Sequence, residues 1–169
     1  MAWKLPLALI ATGSLGVLVA WTGQAGDDPR AAPAANASPD YGVTLPPDYR
    51  SWEVVSVAHE AGNNNDIRAI LGNDIAMKAY RSGALPFPDG SILARIAWRY
   101  EPSARNNAIF GRDQSFVAGD PTNVQIDVKD ARRFASSGGW GYGQFEHGKA
   151  NPSRALIQTC FACHNRLPP

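Results

Sequence analysis

Across residues 91–100 the chain reads SILARIAWRY and its side chains alternate in character. Ile92, Ala94, Ile96, Trp98 and Tyr100 fall on one side, and Leu93, Arg95, Ala97 and Arg99 on the other. A period of two is that of a β-strand with one face in a core. Residues 122–129 repeat the pattern, with Val124, Ile126 and Val128 opposite Asn123, Gln125 and Asp127. Shorter runs at 51–58 (SWEVVSVA), 67–71 (IRAIL) and 140–146 (WGYGQFE) read as three further strands.

Helical signals are local. Asp74 is placed to cap a helix over IAMKAYRS that Gly83 ends. A second short helix is expected after Asp130, over ARRFASS, closing at Gly138-Gly139. Asn151 followed by Pro152 marks the start of a third, running to about His164. Residues 101–121, with Pro, Asn, Gly and Arg, read as one long connection. The sum is an α+β fold: an antiparallel sheet of about five strands with short helices.

The first residues do not fit this pattern. Lys4 precedes a charge-free apolar run to Trp21, and the small-residue triplet Gly23-Gln24-Ala25 follows. That order reads as a secretory signal over 1–25, with an uncleaved membrane anchor as the alternative. Residues 26–45 are rich in Ala, Pro and Asp without periodicity and read as a flexible linker, leaving 46–169 as the folded domain. The whole chain has 169 residues, 44% hydrophobic and 18% charged, with a formal net charge of +1. This suits one globular domain with tails and offers no electrostatic footprint for nucleic acid. Stable membrane insertion is not expected if the signal is removed.

The two cysteines carry the chemistry. Cys160 and Cys163 belong to the run Cys160-Phe161-Ala162-Cys163-His164, a CxxCH on the last predicted helix. Two thiols one helical turn apart can form thioethers to the two vinyl groups of a haem, and the adjoining histidine can then ligate the iron. An exported chain is the setting in which haem c is attached. A thioredoxin-like CxxC would lie near the start of a βαβ unit. A zinc site would need further ligands from His59, His147 or a carboxylate, and a Cys160–Cys163 disulfide would close too small a loop to stabilise much. The motif nearly ends the chain, so a sixth iron ligand would come from upstream: His59, His147 or Met77. None is a strong candidate, which favours a five-coordinate iron with His164 on one side and an open opposite face.

Further residues carry a family likeness. Tyr49-Arg50-Ser51-Trp52, Ile70-Leu71-Gly72-Asn73-Asp74, Pro88-Asp89-Gly90, Val128-Lys129-Asp130, Gly138-Gly139-Trp140-Gly141 and the terminal CxxCH, in this order, resemble the cytochrome P-460 and cytochrome c′-beta family over about 46–164. The resemblance implies a periplasmic, sheet-rich c-type haem protein with a five-coordinate iron, typically a homodimer. P-460 members oxidise hydroxylamine, and c′-beta members bind nitric oxide and carbon monoxide. In the P-460 branch a strand lysine is linked to the haem and a distal glutamate relays protons. The matching positions here are Arg95, a poor nucleophile, and Gln125, which hydrogen-bonds but is no base. Lys78, Lys129 and Lys149 do not fall at the matching strand position.

Arg95 and Gln125 both lie on the more polar side of their strands, which solvent alone would explain. If they face the iron they form a distal pocket, and Arg95 could donate to a bound ligand or pair with a haem propionate. The leading expectation is an exported haem protein that binds small nitrogen or oxygen species, NO and CO among them. One alternative is a haem oxidoreductase acting on hydroxylamine or peroxide; another is an electron-transfer cytochrome with a redox partner protein. A helical-bundle cytochrome c′ is the alternative fold, and would need long segments of period 3.6.

Overall fold

The computed structural model describes residues 36–166. Six strands form one antiparallel sheet in chain order: β1 (Glu53–Glu60), β2 (Asp66–Gly72), β3 (Ile92–Pro102), β4 (Phe116–Lys129), β5 (Trp140–Glu146) and the two-residue β6 (Lys149–Ala150). Helix α1 (Asp74–Ser82) joins β2 to β3, α2 (Ala104–Phe110) joins β3 to β4, and α3 (Arg154–His164) follows β6. The fold is α+β as expected, and the five anticipated strands are all present with β6 added. No helix among the described residues is long and apolar enough to cross a membrane. The apolar run at 5–21 lies outside the described residues.

Register explains why the alternation separates two faces. Leu71 pairs with Ala94 and Ala94 with Ile126, while Val124 pairs with Phe145. These side chains, with Val43, Tyr49 and Phe134, make the hydrophobic core. Ala94 and Ile126 are wholly buried. The opposite face carries Ile70, Arg95, Gln125 and Gln144 as one row of cross-strand partners. Leu93, Asp127 and Tyr142 make the next row.

Several local expectations shift. The cap of α1 is Asn73, whose Oδ1 accepts from the Ala76 N–H at 3.0 Å, and Asp74 is the first helical residue. Gly83 ends that helix in the left-handed conformation. The stretch 101–121 is no loop: Ser103 caps α2 by accepting from the Asn106 N–H, and β4 pairs with β3 from Phe116 onward. Irregular register between Ile96 and Trp98, and again between Trp98 and Tyr100, breaks the alternation that would have shown it. After Asp130 there is a turn and a single 3₁₀ turn (Ala135–Ser137) in place of an α-helix. The Asp130 Oδ1 accepts from the N–H groups of Arg132 and Arg133, which favours a turn over helix propagation. Helix α3 is capped by Ser153, while Asn151 Oδ1 accepts the Ser153 N–H before the helix begins.

Residues 36–45, within the stretch read as linker, fold against the sheet. Ser38 Oγ donates to the Tyr142 carbonyl at 2.7 Å, Asn36 bonds Gly148 and Ala150, and Val43 is buried in the core. Side-chain hydrogen bonds hold this arm, so no periodicity announces it. The compact unit therefore begins before Pro46.

Gly141 sits where a Cβ would overlap the ring of Phe134, itself a core residue. Gly141→Ala should therefore cost about 1–3 kcal/mol through overpacking. Urea unfolding of the variant checks this, and an unchanged midpoint would show that the ring moves freely.

Candidate functional site

Helix α3 lies over the polar face of the sheet against β5. Its anchor is Ile157, wholly buried, a side chain whose burial is worth about 1.5–3 kcal/mol. Asn151 fixes where the helix begins, because its N–H donates to the Gln144 carbonyl at 2.8 Å and its Nδ2 to Glu146 Oε1 at 2.9 Å. The helix thus starts beside Gln144 and ends beside Tyr142 and Asp127. There the His164 ring meets the Tyr142 ring edge-on at 5.4 Å, with Nδ1 4.0 Å from Asp127 Oδ2.

Cys160 and Cys163 are both free thiols, one half-buried and one exposed. Burial pushes Cys160 up to about 11, with the nearby Asp127 acting in the same direction. Before any modification it is a neutral thiol. Burial also raises Asp127, to about 6, against the opposing pull of His164. The Tyr142 phenol is pushed above its ordinary value, first by burial and then by Asp127.

This donor set fits a haem. Two unpaired thiols stand one turn apart, and the neighbouring imidazole turns one nitrogen toward a carboxylate, which leaves Nε2 as the nitrogen for a metal. No cluster of three or more His, Cys, Asp or Glu side chains capable of holding a bare metal ion is present among the described residues, so the groups needed for a zinc site do not converge.

Arg95 and Gln125 are directly paired across β3 and β4, on the face where α3 docks. Arg95 Nη2 donates to both oxygens of Asp66, at 2.8 and 2.7 Å, and lies 3.7 Å from Glu60. Arg95 and Asp66 side chains are only 13% and 6% exposed. Glu60 is in turn held by Arg68, whose hydrogen bond lowers the carboxyl below its ordinary range despite some burial. Two guanidinium groups face two carboxylates, and the cluster is formally neutral. Gln125 Nε2 donates to Gln144 Oε1 at 3.1 Å.

The three upstream candidates for a sixth ligand sit apart from α3. Met77 is buried in α1, where its sulfur lies close to Gly72. His59 stacks on Tyr100 at 3.7 Å and pairs with Asn65. His147 occupies the exposed turn between β5 and β6, at φ 50°. Lys129 is no site residue either, since Nζ is bound to the Gly138 carbonyl at 3.0 Å.

Asp66, Asp127, Tyr142 and Gln144 were not singled out from sequence. Asp127 and Tyr142 could have been, because Asp127 lies two residues beyond Gln125 on the same strand face. Asp66 could not, since the β2–β3 register decides which carboxylate reaches Arg95.

A family model described as Cytochrome P460 matches residues 46–168. No curated protein matches the chain.

Proposed function

Because this chain belongs to the Cytochrome P460 family, whose members imply a haem cofactor, we propose that it is an exported c-type haem protein with an open iron coordination position for small ligands. Cys160 and Cys163 hold the haem through thioethers, and His164 ligates the iron through Nε2. When bound, the haem supplies an iron that takes one exogenous ligand and exchanges single electrons. The chain's own residues do the rest. Asp127, whose Oδ2 lies 4.0 Å from Nδ1 and so beyond hydrogen-bond distance, favours by its charge the ring placement that leaves Nε2 for the iron. Tyr142 walls the ring from the side.

The observation that carries this reading is the placement of a CxxCH helix over a sheet face bearing Arg95 and Gln125, while Met77, His59 and His147 are held elsewhere. That none of these three is placed beside His164 among the described residues supports a position open to NO, CO or a related species. Arg95 is already bound to Asp66, and a guanidinium is a poor nucleophile, so no cross-link to the macrocycle is expected. A second reading, oxidation of hydroxylamine or peroxide, draws on the N–H groups of Arg95 that Asp66 leaves uncommitted. A homodimer belongs to the same proposal, with exposed Val54 and Val57 on the edge strand β1 available to it.

The test is the visible spectrum of the ferrous protein with and without carbon monoxide. The expected result is a broad high-spin Soret band that shifts on adding the gas. Sharp six-coordinate bands that do not move would overturn the open position. A strongly red-shifted ferrous Soret band would reveal a cross-link.

A further inference from the structure

Three side chains beyond the distal pair are joined in a directional chain. Gln125 Nε2 donates to Gln144 Oε1 at 3.1 Å, Gln144 Nε2 donates to Glu146 Oε1 at 3.1 Å, and Asn151 Nδ2 donates to the same oxygen at 2.9 Å. An ionised carboxylate can only accept hydrogen bonds. Glu146 is exposed, and its carboxyl is held below the ordinary range by the bonds from Asn151 and Gln144. Gln144 must therefore turn its NH₂ toward Glu146, which turns its carbonyl oxygen toward Gln125. Gln125 must then turn its own NH₂ toward Gln144, and its Oε1 remains. Asn151 is fixed independently, because its Oδ1 accepts the Ser153 N–H at 2.9 Å.

Gln144 is buried, so its amide has little water to bond with in the alternative orientation. Gln125 Oε1 has no partner among the described residues and is not among the sealed polar atoms without one. Beside it, Arg95 is held through Nη2 alone, leaving Nε and Nη1 without hydrogen bonds among the described residues. The face accordingly presents donors from Arg95 and an acceptor from Gln125 on paired positions of β3 and β4.

We propose that Glu146, acting through Gln144, fixes the polarity of Gln125 so that the site prefers an iron ligand carrying an N–H or O–H donor over one that carries none. Glu146 and Gln144 are positioning residues, since neither is placed to touch the ligand. The inference rests on the open iron position proposed above. Replacing Glu146 by alanine removes the acceptor, whereas glutamine would keep a carbonyl oxygen under the fixed Asn151 Nδ2. Both amide orientations then become available to the chain, and Gln125 offers its carbonyl oxygen only part of the time.

The experiment measures two probes on the intact haem-loaded protein: ammonia on the ferric form and carbon monoxide on the ferrous form. Glu146→Ala should weaken ammonia binding about two-fold, the factor set by two comparable amide orientations, and leave carbon monoxide unchanged. Gln125→Leu should weaken ammonia binding about five-fold, the worth of one net hydrogen bond, and adding Glu146→Ala to it should cost nothing more, as coupling through one chain requires. Glu146 is a surface residue, and a thermal melt of the variant confirms the fold. Ammonia affinity indifferent to Glu146→Ala, equal losses for both probes in that variant, or additive effects of the two substitutions would each overturn the relay while leaving the open iron intact. A Soret band that carbon monoxide does not move would remove both readings together.

Discussion

Replacing Cys160 and Cys163 together by serine is expected to abolish covalent retention of haem. The wild-type chain should keep its pigment through acidified organic extraction and show haem staining on a denaturing gel, whereas the double variant should release all of it. Each single variant should retain pigment through one thioether. The loss would be a loss of bonds and not of fold. Helix α3 is set by Ile157, by the Ser153 cap and by the Asn151 contacts to β5, none of which involves a thiol. The secondary structure by circular dichroism should therefore match that of haem-free wild type. Pigment that survives extraction from the double variant would show that another side chain carries the haem.

The second large effect is expected at Asp66. Removing one partner of a buried ion pair strands the other charge, which costs about 3–5 kcal/mol. Asp66→Ala would leave Arg95, nearly enclosed, with Glu60 at 3.7 Å as its remaining anion. That partial substitute puts the expected loss near the lower end, about 3 kcal/mol in urea unfolding. Replacing the pair together, as Asp66→Leu with Arg95→Leu, should recover most of it, because no unpaired charge is then buried. A loss below about 1 kcal/mol for Asp66→Ala would place the pair in the class of solvent-screened surface bridges. The same variant also frees the guanidinium to turn, so its ligand affinities should change where those of a purely structural variant would not.

The contrast between these two predictions reflects what a single sequence can show. The CxxCH is legible because its chemistry is contiguous: two thiols and an imidazole occupy five residues and need only a helix to align them. The strands β3 and β4 are legible where one face is apolar and the other polar, and there Arg95 and Gln125 fall on a common face. The Asp66–Arg95 pair is hidden because it depends on the register between β2 and β3, which are separated in the chain by α1 and the loop after it. The first half of β4 is hidden for a different reason. Gly119 and Pro121 interrupt its pattern, and the irregular register opposite Trp98 absorbs the mismatch. The Gln144–Glu146 chain escaped because two polar residues at alternate positions of a strand look like an ordinary wet face. Only the hydrogen bonds show that the inner one is buried and oriented.

The sheet runs β1 to β6 in the order of the chain, with every strand hydrogen-bonded to its sequence neighbours. Such a meander can assemble strand by strand, since each new strand needs only the one before it. The exceptions are the contacts of the arm, such as Ser38 to Tyr142, which span 104 residues and must wait for β5. Helix α3 comes later still. The sheet face with Arg95, Gln125 and Asp127 is thus built from strands that pair with their sequence neighbours, and α3 docks on a platform to which it contributes no strand.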